Sequence, residues 1–185
     1  MSNTVQKGEN MDANLNVRSR SQYLTFQLAG EEYALDIMQV REIIEYGTLT
    51  LVPHTPAWIR GVINLRGNVV PVIDLALKFT AVPSPVTGRA CIIISEAKVA
   101  GEPAVMGVIA DAVSKVVELT DDEILPPPAF GTGVQVEYLR GMGRAGAKFL
   151  LLLDIDKVLS NTEAMTASTL HATCRRSQPA KAAQE

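Results

Sequence analysis

Few side chains in this 185-residue sequence are of a type that does covalent or metal chemistry. There are two histidines, His54 and His171, and two cysteines, Cys91 and Cys174. The cysteines have no metal-type spacing. Cys91 sits in an apolar run, where a thiol behaves as a small buried hydrophobe. Cys174 lies with His171 in a polar tail and reads as a free thiol of a reducing compartment. His54, between Pro53 and Pro56, reads as a loop residue, and as a lone acid–base it has no partner in the sequence. One acidic cluster, Asp121-Asp122-Glu123, could attract a cation, but its place before Pro126 suits the solvated start of a turn. No Gly-x-Ser-x-Gly, phosphate-binding loop or His-Glu-x-x-His motif occurs. The residues therefore point away from an enzyme, with no catalytic residue, no metal and no cofactor expected.

Composition narrows the partners. Seventeen basic residues against 20 acidic ones give a net charge of −3, which argues against nucleic acid, since phosphate binding needs a basic face. Apolar runs fall short of the roughly 18–20 residues that span a bilayer, and no secretory signal opens the chain. Direct membrane insertion is not expected. Apolar residues make up 47% and aromatics only 5%, so a core is available and should be aliphatic.

The elements that would position a site are mostly strands. Residues 1–21 lack periodicity and read as a flexible arm, and residues 161–185 as a weakly helical or disordered tail. Between them, Tyr23 to Leu28 alternates with period two, turns at Ala29-Gly30, and returns through Tyr33 to Ile37. Val40 to Glu45 alternates less cleanly, though its branched residues favour a strand. Val69–Ile73, Cys91–Ile94, Val105–Ala110, Val113–Leu119 and Phe149–Leu153 are further strand runs. Pro71 inside one of them predicts an edge or a bulge. Short helices are expected over Thr55–Gly61, with threonine cap, proline start and glycine stop, and after the N-caps Asp74 and Asp154.

The sequence also repeats itself. Trp58-Ile59-Arg60-Gly61 matches Tyr138-Leu139-Arg140-Gly141, and Val72-Ile73-Asp74-Leu75 matches Leu152-Leu153-Asp154-Ile155, both at an offset of 80 positions. The copies span about residues 22–80 and 90–159. Shared elements are read as scaffold: each glycine for a close approach or unusual backbone angle, each aspartate as a cap. The copies differ after the glycine. The first has Asn64-Leu65-Arg66-Gly67-Asn68 where the second has Arg144-Ala145-Gly146-Ala147-Lys148. An amide, an apolar residue and a guanidinium before a glycine turn suit either a tight hairpin with a solvated arginine or an exposed recognition loop.

These residues carry a family resemblance. Val62-Ile63-Asn64-Leu65-Arg66-Gly67, followed by Val70-Pro71-Val72-Ile73-Asp74-Leu75, resembles the signature of CheW-like chemotaxis coupling proteins. The hairpin from Phe26 to Ile37, Val40 to Ile43, Gly107 to Val113, Pro126-Pro127-Pro128 and the second-copy elements follow in the family's order. The resemblance covers about residues 22–160. It implies an all-β fold of two intertwined five-stranded SH3-like barrels with a few short helices, in a standalone chain without a receiver domain. It implies a cytoplasmic, non-enzymatic adaptor recruited to membrane-bound receptor arrays. Its partners would be the chemoreceptor's cytoplasmic tip and the regulatory domain of a chemotaxis histidine kinase. By the same resemblance, Arg66 and Glu42 lie together on the receptor- and kinase-facing surface, with Val40 as an apolar contact. The resemblance also places Asn64 and Leu65, on the same loop, at that interaction surface, with Gly61 and Gly67 shaping the loop. The groove they flank is expected between the barrels, lined by branched aliphatics. Two other readings stay open: a coupling protein of a non-flagellar chemosensory system, and a small-ligand barrel whose pocket is the inter-barrel space.

Overall fold

The computed structural model describes residues 20–99, 101–127 and 134–160. The tail expected over 161–185, with His171 and Cys174, lies outside the described residues, as does the arm up to residue 19. The chain is already in a strand at Arg20, two residues earlier than its composition suggests.

The alternating N-terminal residues form β1 (Arg20–Leu28) and β2 (Glu31–Asp36), an antiparallel hairpin. A short 3₁₀ turn leads to β3 (Val40–Glu45). Next come β4 (Ile59–Leu65), β5 (Asn68–Ile73) and the helix α1 (Leu75–Thr80). The second half runs β6 (Cys91–Val99), β7 (Glu102–Ala110), β8 (Ala112–Thr120), the two-residue β9 (Ile124–Leu125), β10 (Leu139–Ala145), β11 (Lys148–Leu153) and α2 (Ile155–Ser160). β4, β5 and α1 reappear as β10, β11 and α2 at the offset of the sequence repeat. Both helices start where expected: the Asp74 carboxylate accepts the Leu77 N–H at 3.0 Å, and Asp154 accepts that of Lys157 at 3.2 Å.

The helix expected over Thr55–Gly61 does not form. Thr55 donates its hydroxyl back to the Val52 carbonyl at 2.9 Å, and the Ile59 N–H closes one turn onto the Pro56 carbonyl at 2.9 Å. Ile59 then enters β4. Threonine and proline serve a turn as well as a helix start, and Gly61 is not a stop but a residue inside a strand.

The strands form two curled sheets, one ordered β8-β1-β2-β11-β10-β9 and the other β3-β6-β7-β5-β4. The second has the five strands expected; the first has a sixth because β9 adds to its edge. Neither sheet follows a repeat copy. β3 leaves the β1–β2 hairpin and pairs with β6, while β8 leaves the β6–β7 hairpin and pairs with β1. The C-terminal hairpin joins the N-terminal one through a parallel β11–β2 contact, mirrored by β5–β7. Pro71 lies in an interior strand, but just beyond the two-residue β5–β7 ladder of Val72 and Ile73, so its missing N–H leaves no partner stranded.

Three clusters of buried side chains result. Each sheet has its own: Tyr23, Ala34, Leu119, Leu150 and Leu152 in one, and Val70, Val72, Ile92, Ile94 and Ile109 in the other. The third and largest fills the seam between the sheets. The few aromatics concentrate there: Phe26, Tyr33, Phe79 and Tyr138 form a run of rings with centroids 5.7–6.4 Å apart, beside buried Trp58. The aliphatic core expected from composition thus describes the second sheet's interior better than the seam. Among the described residues the seam between the barrels is packed with buried side chains.

Candidate functional surface

The β4–β5 connection is a two-residue turn closed by the pair Leu65–Asn68. Its central residues, Arg66 and Gly67, have φ of 52° and 86°. Two successive positive φ values suit the right-handed twist of a hairpin. Gly67 meets that demand without strain. Arg66 does not, since a side chain in the left-handed region costs about 1–2 kcal/mol. The Asn64 side-chain oxygen accepts the Gly67 N–H at 2.8 Å, locking the turn. Asn64 therefore shapes the loop.

The Arg66 guanidinium donates to Glu42 Oε2 at 2.9 Å, bringing together the two charged residues singled out in the sequence. Arg66 is 79% exposed and Glu42 26%, and such a pair stabilises by only about 0–1 kcal/mol. So small a stabilisation does not offset the backbone strain at Arg66.

Beside the pair lies an open groove of about 350 Å³. Leu65, Val70, Pro71, Ile94, Val105 and Met106 form its walls, and Glu42, Arg66 and Arg41 its charged rim. Every lining residue belongs to, or directly joins, strands of one sheet. The groove is therefore carried by a single sheet and does not lie between the two. Val40 is outside the lining. It is half-buried and packs on the seam cluster, as an ordinary strand residue would.

Gly61 supports the site from behind. Its φ is 146°, and a Cβ there would meet the Thr50 carbonyl oxygen at 2.5 Å. The bare glycine lets Thr50 and Val62 exchange two backbone hydrogen bonds, at 2.8 and 2.9 Å, which tie the preceding loop to β4. Gly141 does the same for the second copy, where a Cβ would meet the Leu125 carbonyl oxygen at 2.7 Å.

Arg41 was not among the residues chosen from sequence. The β3–β6 ladder slips between Val40 and Glu42, so two steps on β3 match one on β6. Arg41 is the extra residue of this bulge, and bulges re-aim side chains at sheet edges. Neighbours that a regular strand would point to opposite faces here both line the groove. The imperfect alternation of Val40 to Glu45 was the trace of this in the sequence.

The other reactive residues have structural roles. Cys91 is buried and unpaired, and burial pushes its thiol pKa up, away from the reactive thiolate. His54 is exposed in a loop at φ 62°. Glu123 accepts from the backbone N–H and the hydroxyl of Thr120 at 2.9 and 3.0 Å, a capping box that holds its carboxyl below the usual range. Among the described residues no three or more His, Cys, Asp or Glu gather as a metal site, and no helix is long and apolar enough to cross a membrane.

The CheW-like domain model matches residues 22–163. The chain belongs to the CheW-like family. It is 40% identical over 142 residues to the chemotaxis protein CheW of Klebsiella aerogenes, covering 77% of this chain and 83% of that one. It is 30% identical over 144 residues to the protein FrzA of Myxococcus xanthus, covering 77% and 87%. Among solved structures it resembles the scaffolding protein TtCheW of Thermoanaerobacter tengcongensis, with a TM-score of 0.69 and 32% identity over 78% of this chain and 91% of that one. The two curled sheets are the SH3-like barrels of the CheW fold, and the family is one of scaffolds and not of enzymes.

Proposed function

We propose that this CheW-like chain is a non-enzymatic adaptor joining the cytoplasmic tip of a chemoreceptor to the regulatory domain of a chemotaxis histidine kinase, at membrane-bound receptor arrays. The observation that carries the reading is the strained Arg66 paired with Glu42 on the rim of an apolar groove. An apolar stripe on a receptor-tip helix fits such a groove, with the ion pair setting its orientation. Control of the kinase then requires only that these contacts differ between the receptor's signalling states.

The test is assembly of purified chain, receptor cytoplasmic fragment and kinase. Arg66→Glu places like charges side by side at Glu42 and should weaken ternary assembly and kinase activation, while circular dichroism and the melting temperature stay close to wild type. Undiminished assembly in a folded Arg66→Glu chain would remove the recognition role of this loop.

A further inference from the structure

We propose that Arg41 is a second recognition position in the groove, and that it selects a receptor-tip helix carrying a carboxylate beside its apolar stripe. The inference rests on the receptor-docking reading above and adds to it the chemistry of the partner.

Three observations lead there. The β3 bulge turns Arg41 onto the groove rim beside Glu42, where a regular strand would point it away. Its guanidinium is then held from one side: Nε donates to Glu96 Oε2 at 2.9 Å, and Nη2 donates to the same oxygen. Glu96 is not part of the groove lining. It fixes the arginine's direction and leaves the remaining N–H groups unspent. Across the rim, Arg66 gives one N–H to Glu42, its one hydrogen-bond partner among the described residues. A guanidinium offers five donors in a planar fork. The groove lining thus carries two arginines with most of their donors free and one carboxylate already engaged.

This local excess of cationic donors sits in a chain of net charge −3. Long-range attraction cannot supply it with an acidic partner, so the preference must act at contact. A carboxylate at the edge of a helix whose apolar face rests on Leu65, Val70 and Ile94 would take N–H groups from both arginines. A basic residue there would find the nearby carboxylates, Glu42 and Glu96, already taken by the two arginines and no free acceptor, and a mismatch of that kind supplies specificity.

The experiment measures affinity of the full-length chain for a soluble receptor cytoplasmic fragment at two ionic strengths. Arg41→Gln should weaken binding about five- to tenfold and flatten its salt dependence, because one charge contact is lost. Arg41→Lys, which keeps the charge and loses the fork, should fall between. Glu96→Gln removes the charge of the Arg41–Glu96 pair but keeps an amide oxygen that still accepts from the guanidinium and aims it, so it should keep wild-type affinity within about twofold. That variant separates recognition from any structural worth of the pair. Wild-type affinity and salt dependence in Arg41→Gln, alongside weakened binding by Arg66→Glu, would overturn this inference and leave the docking reading standing. Wild-type binding by both variants would overturn the docking reading as well. An equal loss in Glu96→Gln and Arg41→Gln would assign the pair to structure and overturn the inference.

Discussion

Gly61 gives the sharpest test of how this surface is built. An alanine there has two costs. Its backbone must hold φ near 146°, a region left to glycine, at about 1–3 kcal/mol. Its Cβ would also lie 2.5 Å from the Thr50 carbonyl oxygen. That neighbour is backbone and cannot swing aside, so the Thr50–Val62 pair of hydrogen bonds must stretch or break. Two such bonds contribute about 0.5–1.5 kcal/mol each. Together the loss is about 2–6 kcal/mol, a large share of the ~5–15 kcal/mol that holds a typical domain. Gly67→Ala is the control: its φ is 86°, but nothing lies within 4 Å of the added Cβ, so only about 1–2 kcal/mol of backbone strain applies. Gly141→Ala should fall between them, since its clash is with the two-residue β9. Urea unfolding followed by Trp58 reads all three, because this is the chain's one tryptophan and it is buried. With a slope of roughly 2 kcal/mol per molar, Gly61→Ala should lower the midpoint by about 2 M and Gly67→Ala by less than about 1 M. Equal midpoints for the two variants would refute the close-approach argument.

Other outcomes follow from single contacts. Ser84 gives its hydroxyl and its N–H to the buried Asp74 carboxylate, each at 3.0 Å. Ser84→Ala should therefore destabilise by about 1–3 kcal/mol in the same urea assay. Asn64→Ala removes the acceptor for the Gly67 N–H; we expect about 1 kcal/mol of lost stability and faster amide exchange at the hairpin tip. Burial, with Glu31 nearby, pushes the Tyr33 phenol from 10.0 up to about 12. The folded state keeps this proton longer than the unfolded one, so stability is unaffected below pH 10 and falls as pH rises from 10 towards 12, by on the order of 2 kcal/mol. Tyr33→Phe should flatten that alkaline decline, and an unchanged profile would count against the burial argument.

Much of the fold was legible because local rules sufficed. Period-two alternation gave the first hairpin, and aspartate caps placed both helices. The repeated Arg-Gly elements marked equivalent scaffold positions, whose glycines prove to serve the same close approach. What failed was whatever depends on partners distant in the chain. Thr55-Pro56 obeys helix-start rules and turn rules equally, and only the entry of Ile59 into a ladder with Ile73 decides between them. Pro71 suggested an edge or a bulge, yet β5 is interior; the β4–β5 register does shift nearby, between Ile59 and Gly61, and the parallel ladder ends one residue short of the proline. At the site, Glu42 and Arg66 were identified by resemblance and meet at 2.9 Å. A groove was expected between the barrels, whereas the one beside this pair is lined by residues of a single sheet. Arg41 escaped notice because a bulge is a property of two paired strands, and one strand's sequence shows it only as broken alternation.

The exchange of β3 and β8 between the sheets has a consequence for what counts as a unit of this protein. A cut in the connection after α1, where residues 85–89 are exposed, would separate the repeat copies but complete neither sheet. The first fragment would hold β1 and β2 without β8, β10 and β11, and β3 to β5 without β6 and β7. Each fragment alone should stay unfolded, and the two mixed should recover one structure. A single copy could close its sheets only by lending strands to a second chain and borrowing others back. The architecture is that of a strand-exchanged dimer whose two chains have become one.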